Sequence, residues 1–385
     1  MKSNKKPGDH FDNELYDLDT TEFVCANHIE DDFISKQIRK KGIKGKCDYC
    51  QKNRVVVELS EVLKLIINGI DYLFEDPGNS RYLNKEGLHG FDGDTFDFYD
   101  LWYEDKLGLG ITNDQLFEDV YGYLSNDTLY CAKDEFYSES EDLESLWGQF
   151  KETVKYKARF VFYFKEVFKG YQYEDPYEIL KRIQKSILKF NLITDLPQDT
   201  ILYRARQHGK NGDITKASEL ASAPQHLAKA YGRMNPSGIS MFYCSRDRNL
   251  TIAEVVNKDL KDKPLVTTGV FRNKKDLRLV DLSDIPDLSS IFDEKENTDR
   301  ETLLFLKGFV NDITKPIDAN DSIIDYIPTQ IVTEYIKFNP KLNVDGIIYP
   351  SSKVPGVKNI VIFYNHEESL EHLSFKVSSL KTEKI

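Results

Sequence analysis

The stretch LYRARQHGKNGDITKASELASAPQHLAKAYGRMNPSGISMFYCSRDRNLTIAEV, Leu202–Val255, decides the fold class of the carboxyl-terminal half. Turn residues and arginines flank Ala221–Tyr231, which predicts a helix, and a second predicted helix, Thr251–Val256, carries Glu254. A later phrase, DGIIYPSSKVPGVKNIVIFY (Asp345–Tyr364), ends the same unit with strand-like text. The combination predicts a mixed α/β domain.

Short segments with β-branched and aromatic residues supply the predicted strands of this domain. They are Thr200–Tyr203, Ser240–Cys244, Leu265–Phe271, Gly346–Tyr349 and Ile360–Tyr364. Pro197 lies in the polar phrase NLITDLPQD, which predicts a turn at the domain boundary. We therefore expect the domain to cover residues 197–370, followed by a flexible tail at 371–385.

The amino-terminal cysteines form pairs. Cys25 and His28 give a C-x2-H pair, and Cys47 and Cys50 give a C-x2-C pair. A two-residue spacer lets both ligands of a knuckle face one ion, and thiolates with an imidazole suit tetrahedral Zn²⁺. Since all four corners are filled, the sequence predicts a closed, structural zinc site in a module of residues 21–55.

Residues 56–190 predict a helical domain, because apolar and aromatic residues recur at three- and four-residue spacing. Val56–Leu73 is one such helical stretch. A helical ribonuclease would need an arginine and a histidine close together on one helix face. The nearest pair, Arg81 and His89, has the wrong spacing and lies in loop-like sequence, so we predict no nuclease site there.

Composition limits the function further. The chain has 385 residues, 40% of them hydrophobic, and a net charge of −12. This length and apolar content predict two or three packed domains. The negative charge argues against non-specific binding to nucleic acid or an anionic membrane, and no apolar run is long enough to span a bilayer. The start, MKSNKKPGDHFDNE, lacks a secretory signal, so we expect a flexible terminus at 1–20 and a cytoplasmic location.

Arginines and a tyrosine in the carboxyl-terminal half suggest a phosphate-bearing ligand. Arg204 and Arg206 alternate along one predicted strand and therefore share a face. Arg233 precedes the turn phrase MNPSG. Planar guanidinium groups are natural partners of a pyrophosphate. Tyr243 ends the next strand, and its ring can stack on a flat heterocycle.

An acid and two serines complete the candidate site. Glu254 follows a largely apolar run that carries it inward, where a carboxylate needs a partner or a role. Ser351 and Ser352 follow a predicted strand end, a common place for active-site groups. Each residue alone has a simpler interpretation, since a single arginine is usually a surface ion pair and a single serine a turn residue. Together they predict a site for a dinucleotide.

These phrases resemble the RES domain, a family named for an Arg, a Glu and a Ser. The matching text is LYRAR, SAP, YGRMNPSG, FYCS, TIAEV, PTQIVTEYI and DGIIYPSS with NIVIFY, within residues 202–364. The amino-terminal half resembles the zinc-containing helical HEPN/RES N-terminal domain. The first knuckle of that domain is usually C-x2-C, and His28 here replaces the second cysteine, which still permits zinc.

The resemblance implies roles for individual residues. Arg204, Glu254 and Ser351 match the three residues that name the family and are the implied catalytic residues, with Ser352 as an alternative to Ser351 because the register there is loose by one. The residues implied in NAD⁺ binding are Arg204, Arg206, Arg233, Tyr243, Ser351 and Ser352. The long and partly acidic stretch between Glu254 and Ser351 departs from the resemblance; its segment 276–300 would be a lid, a partner surface or a solvated loop.

RES proteins have a fold similar to ADP-ribosyltransferases. They release nicotinamide from NAD⁺ by phosphorolysis or hydrolysis, or transfer ADP-ribose to a protein, and many are toxins held in check by an antitoxin. The resemblance therefore implies an α+β chain with a zinc knuckle, a helical middle domain and a RES domain that consumes NAD⁺. It also implies structural Zn²⁺ and an antitoxin or regulatory protein as partner, and the helical domain would offer a surface for homo-oligomers.

Two other interpretations remain open at this point. In the first, the same pocket binds a nucleotide as a sensor and catalyses no reaction. A sensor of this kind would be expected to have lost the carboxylate of Glu254. In the second, the zinc-containing and helical half is an adaptor that binds another macromolecule. The negative net charge of the chain favours a protein over nucleic acid as that partner. The sequence does not choose among water, phosphate and a protein side chain as acceptor of ADP-ribose.

Overall fold

The computed structural model describes residues 18–79, 94–103, 106–124, 129–133, 139–161, 177–210, 212–229, 231–315 and 323–385. The chain forms two compact units, Met1–Glu141 with Leu288–Glu301, and Asp142–Asp287 with Thr302–Ile385. Arg81 and His89 lie outside the described residues, as does most of the predicted flexible terminus at 1–20. No helix in the described part of the chain is long and apolar enough to cross a membrane.

The first unit combines small sheets with short helices. Its strands are β1 (Phe23–Cys25), β2 (Ile43–Lys46), β3 (Asn53–Glu58), β4 (Phe74–Glu75) and β5 (Cys131–Ala132), and its helices are α1 (Asp32–Lys41), α2 (Leu59–Leu73), α3 (Phe98–Tyr103) and α4 (Asp114–Leu124). The antiparallel order β1-β3-β2 forms one sheet, and β4 pairs with β5. The predicted helix at Val56–Leu73 is correct only from Leu59, because Val56 and Val57 belong to β3.

Helix α2 carries the apolar face on which the first unit is built. Leu63 and Ile66 are fully buried in its core. A Cβ atom at Gly69 would lie 2.3 Å from the ring of Phe292, so glycine is required where that ring meets the helix. Phe292 is 1% exposed and comes from 288–301, which belongs to this unit. Part of the acidic segment 276–300 therefore supplies core residues, and it is not simply a solvated loop.

The second unit contains an eight-stranded sheet. Its strands are β6 (Ile193–Leu196), β7 (Ile201–His208), β8 (Phe242–Ser245), β9 (Leu265–Asn273), β10 (Leu277–Asp281), β11 (Gly346–Pro350), β12 (Lys358–Ile362) and β13 (Leu373–Lys384). Their order is β13-β9-β7-β8-β12-β11-β10-β6. Pairing is antiparallel throughout, except that β10 and β11 are parallel.

Helices pack on both faces of this sheet. They are α5 (Glu139–Glu152), which begins at the end of the first unit and continues into a π-helical turn, α6 (Glu178–Lys189), α7 (Ala217–Leu220), α8 (Arg248–Val255), α9 (Asn297–Thr314), α10 (Ile327–Phe338) and α11 (His366–His372). Buried side chains of α5, α6, α9 and α10 share one core with Ile347 and Val361 of the sheet. The predicted class, a cysteine-rich knuckle, a helical middle and a carboxyl-terminal mixed sheet, is confirmed.

Two predictions for the second unit do not match the structure. The sequence predicts a helix at Ala221–Tyr231, but the structure has α7 before it, a 3₁₀ turn at Gln225–Leu227 and irregular chain around them. Pro224 removes a backbone donor and interrupts the run. The sequence also predicts a flexible tail at 371–385, but β13 pairs with β9 and forms one edge of the sheet.

Candidate functional site

The site lies where the sheet of the second unit opens. β7 and β8 pair only at Tyr203 and Ser245, whereas β7 pairs with β9 over its whole length. Beyond that single pair, the carbonyl oxygen of Tyr243 accepts a hydrogen bond of 2.8 Å from Nη1 of Arg204. A side chain thus satisfies a backbone group that a continuous ladder would have paired. The opening leaves a cleft between neighbouring strands.

A pocket of about 510 Å³ occupies this cleft, a volume typical of small-molecule sites. Its charged lining residues are Arg204, Arg233, Glu254 and Lys353, and its tyrosines are Tyr243, Tyr326 and Tyr349. Ser352 also lines it. Three cations and one carboxylate, set among aromatic rings, suit an anionic ligand with flat heterocycles.

Arg204 is the most constrained of the cations. Its guanidinium carbon lies 4.7 Å from the ring centre of Phe242, so the ring face supports the charge. Burial lowers the pKa of Arg204 to about 10, although it remains a cation at neutral pH. A cation that is already desolvated interacts strongly with an anion that enters the pocket, because little water has to be displaced.

Tyr243 is positioned by its hydroxyl group. The hydroxyl donates to Oδ1 of Asn235 at 2.6 Å and accepts from the backbone of Met234 at 3.1 Å. Gln330 of α10 donates to the carbonyl oxygens of Gly232 and Asn235 at 2.9 and 3.1 Å. The turn before β8 is therefore held from two sides, and the pocket wall is fixed before any ligand binds. Burial raises the pKa of Tyr243 well above its ordinary value, so the phenol stays neutral.

Glu254 lies in the last turn of α8 and faces the pocket. Its Oε1 accepts hydrogen bonds from Oγ of Ser351 at 2.8 Å and from Nδ2 of Asn359 at 2.9 Å. Lys353 donates to the carbonyl oxygens of Ala253 and Glu254 at 2.8 and 3.1 Å. This ammonium group satisfies carbonyls at the carboxyl end of α8, where a cation is favourable.

Arg233 reaches the pocket from the turn before β8. Nη1 of Arg233 donates to the carbonyl oxygen of Ile313 at 2.6 Å, near the end of α9. Its guanidinium carbon lies 5.9 Å from the ring centre of Tyr326. Because one nitrogen of the fork is committed, the others remain to face a ligand.

Not every predicted residue lines this pocket. Arg206 shares a strand with Arg204, as predicted, but it lines a neighbouring cavity of about 240 Å³ and donates to the carbonyl oxygen of Glu219 at 2.8 Å. Arg204 lines both cavities. Ser351 is buried behind Glu254, and the exposed Ser352 provides the lining instead.

Sequence reasoning missed Asn359, Lys353, Gln330 and Tyr349. Asn359 offered one usable signal, since it is a polar residue in the apolar strand text NIVIF, and a buried amide requires partners. Tyr349 is only the last residue of a predicted strand in the sequence, yet it is 6% exposed and lines the pocket. Lys353 and Gln330 contribute through hydrogen bonds to residues distant in the sequence, and local sequence pattern does not reveal such contacts.

A second candidate site lies in the first unit. Cys25 ends β1, His28 follows in a 3₁₀ turn, and Cys47 and Cys50 lie between β2 and β3. One ligand atom from each residue lies within 4.8 Å of the others. The sulfur atoms of Cys25 and Cys50 are 3.9 Å apart, close to the edge of about 3.8 Å expected for a zinc tetrahedron with Zn–S bonds of about 2.3 Å. Nε2 of His28 is buried with no hydrogen-bond partner among the described residues, so the donor set fits zinc.

Comparison with known proteins adds two family matches. The family model described as HEPN/RES N-terminal domain 1 matches residues 40–167, and the family model described as RES domain matches residues 201–378. No curated protein matches the chain. Among solved structures, the M. tuberculosis MbcT-MbcA toxin-antitoxin complex covers 54% of this chain and 91% of its own, with 15% identity and a TM-score of 0.29. At that TM-score the likeness carries no argument about fold or function.

Proposed function

Because the chain carries a RES domain behind a HEPN/RES N-terminal domain 1, we propose that it is an enzyme that breaks the nicotinamide–ribose bond of NAD⁺. One observation carries the proposal. A carboxylate, Glu254, and a desolvated cation, Arg204, line the same pocket at the opening of the sheet. The family's NAD⁺ chemistry supports these roles.

The reaction needs little acid–base help. Nicotinamide in NAD⁺ is a cationic leaving group, so the bond between C1 of the ribose and the ring nitrogen breaks with its electron pair moving onto nicotinamide, which leaves neutral. Positive charge then develops on the ribose, and the carboxylate of Glu254 stabilises it. One carboxylate is enough where enzymes that cleave neutral glycosides use two. Water, phosphate or a protein side chain then bonds to C1 and loses a proton.

The remaining residues would position the dinucleotide. Arg204 would hold the pyrophosphate, helped by Arg233, since both guanidinium groups line the pocket. Tyr243 would provide a ring surface for nicotinamide or ribose. Arg206 would contribute to the ligand from the adjoining cavity.

The first prediction concerns nicotinamide release. Glu254→Gln keeps an oxygen that can accept from Ser351 and Asn359, so we expect a folded protein whose turnover falls at least about 100-fold. Arg204→Lys keeps the charge but loses the fork, and we expect weaker NAD⁺ binding. The assay is NAD⁺ with purified protein, with and without inorganic phosphate, and products identified by mass. ADP-ribose would indicate water as acceptor, ADP-ribose-1″-phosphate would indicate phosphate, and a mass-shifted protein would indicate transfer.

Matched controls make the result specific. Glu371→Gln on α11 and Arg246→Ala after β8 change exposed residues outside the pocket and should keep normal turnover. Intact NAD⁺ at high concentration of the wild-type protein would contradict the proposed function. Normal turnover in both site variants would show that the site is elsewhere.

We also propose that the enzyme acts as a toxin or defence effector restrained by an antitoxin or regulatory protein. The support is the RES family, many of whose members are toxins. The expected behaviour is growth arrest on expression in a bacterial host, relieved by Glu254→Gln. Arrest that persists in this variant would mean that NAD⁺ consumption is not the cause.

Finally, we propose that the cluster Cys25, His28, Cys47 and Cys50 holds one structural Zn²⁺. Bound zinc would supply folding energy and take no part in the reaction. We expect one zinc per chain by elemental analysis, lost in Cys47→Ala. Cys131 provides the control, because it lies outside the cluster, and Cys131→Ala removes a thiol from the same unit and should retain the metal. Wild-type protein without metal would refute the assignment.

A further inference from the structure

Every hydrogen-bonding position of the Ser351 hydroxyl is already in use. Its Oγ donates to Oε1 of Glu254 at 2.8 Å and accepts from the backbone nitrogens of Lys353 and Val354, both at 3.1 Å. A serine hydroxyl has one proton to donate and two lone pairs to accept. Ser351 is also 8% exposed. It therefore has no free capacity for a ligand or for nucleophilic attack.

Asn359 contacts the same carboxylate oxygen from another strand. It lies on β12, opposite Tyr349 of β11, and is 8% exposed. Its Nδ2 donates to Oε1 of Glu254 at 2.9 Å. Two donors at hydrogen-bond distance fill both lone-pair positions of that oxygen.

The second carboxylate oxygen of Glu254, Oε2, has a different environment from Oε1. Within the described part of the chain, Oε2 of Glu254 has no hydrogen bond, and its residue lines the pocket. Two donors on Oε1 restrict the rotation of the carboxylate and leave Oε2 available to a ligand in the pocket. Such a clamp restricts the carboxylate to one geometry before the reaction starts, which is how preorganised sites gain rate.

We propose that Asn359 and Ser351 are positioning residues that hold Glu254 by Oε1 and leave Oε2 as the oxygen that faces the ribose. The proposal rests on the proposed function for the identity of the ligand. It adds Asn359 to the site and gives Ser351 a positioning role in place of a catalytic one. Neither residue needs to touch NAD⁺ for its loss to slow the reaction.

The test separates turnover from binding. Asn359→Leu removes the donor with little change in volume, and Asn359→Asp keeps the shape but faces the carboxylate with a second acidic group. We expect both to lower kcat by about 10- to 100-fold, with KM for NAD⁺ and Kd for ADP-ribose within about twofold of wild type. A role in packing alone would not produce this separation. Asn249→Asp, an exposed change on the same helix α8, should leave kcat unchanged.

Several outcomes would overturn the proposal. Unchanged kcat in Asn359→Leu, with wild type active and Glu254→Gln inactive, would remove Asn359 from the positioning role while the proposed function stands. A raised KM with normal kcat would make Asn359 a ligand-binding residue instead.

A stability measurement keeps the contact testable without activity. The melting temperatures of Glu254→Met, Asn359→Leu and the double variant form a double-mutant cycle. We expect the double variant to melt higher than the sum of the single losses predicts, because each single change leaves one polar partner without the other. Additive losses would mean that the two side chains are not coupled. A wild type that releases no nicotinamide would refute the proposed function, and the cycle would still decide whether the clamp exists.

Discussion

Gly232 shows how a single residue fixes the wall of the pocket. A Cβ atom there would lie 2.6 Å from Oδ1 of Asn235 and 2.7 Å from the hydroxyl oxygen of Tyr243. These two atoms are themselves hydrogen-bonded at 2.6 Å. Glycine is therefore required by close approach, and its role is to let the tyrosine and the turn meet.

We predict that Gly232→Ala displaces Asn235 or the Tyr243 ring by several tenths of an ångström and weakens NAD⁺ binding. The reason is that the added methyl group occupies the space used by the hydrogen bond between them. The expected result is a KM for NAD⁺ raised about 10-fold, with a modest loss of melting temperature. Gly212→Ala is the control, since a Cβ atom there meets nothing within 4 Å. Equal KM values for the two variants would show that the turn does not shape the ligand site.

For single residues, the sequence predicts which side chains belong to the candidate site better than it predicts which residues those side chains contact. Arg204, Arg233, Tyr243 and Glu254 were found from residue chemistry and resemblance, and the structure brings all four to one pocket. Their catalytic and binding roles remain predictions. Asn359 was missed because its importance arises from a contact with Glu254, far along the chain, that only strand pairing produces.

Among the elements, strands were easier to predict than their edges and connections. β7 extends to His208, well past Thr200–Tyr203, the segment with clear strand composition, and it includes Arg204 and Arg206, which were predicted to alternate along it. The charged sequence of β13 likewise predicts a mobile tail, yet the backbone of β13 pairs with β9 at the edge of the sheet. The ring centres of Phe375 and Phe271 are 4.7 Å apart. Local composition does not report which backbone groups will find a partner strand.

The opening between β7 and β8 is the element-level feature that creates the site. No pattern in either strand predicts that they meet at one residue pair only. β7 keeps a full ladder with β9, and β8 keeps one with β12, so both strands are held firmly while they separate from each other. The cleft is thus bounded by rigid elements, which suits a binding site.

For the molecule as a whole, the second compact unit is larger than the match to the RES domain family. The RES domain description begins at residue 201, but the second unit begins at Asp142 and is completed by Thr302–Ile385. The buried side chains of α5, the π-helical turn after it and α6 that join the core of the sheet are Leu143, Leu146, Trp147, Phe150, Val154, Ile179, Leu180, Ile183 and Ile187. Local sequence could not reveal this, since a helical stretch looks the same whether it packs on itself or on a distant sheet.

We predict that a fragment of residues 195–385 fails to fold, whereas a fragment of residues 142–385 folds cooperatively. The shorter fragment lacks α5 and α6, which cover one face of the sheet. Each lost apolar side chain removes roughly 1.5–3 kcal/mol of burial, so nine such losses are comparable to or larger than the roughly 5–15 kcal/mol of net stability that a domain usually has. Circular dichroism, thermal melting and limited proteolysis of both fragments would measure the difference. If residues 195–385 melted as sharply and as high as residues 142–385, the sheet would be able to dispense with its helical cover, and the family boundary would also be the folding boundary.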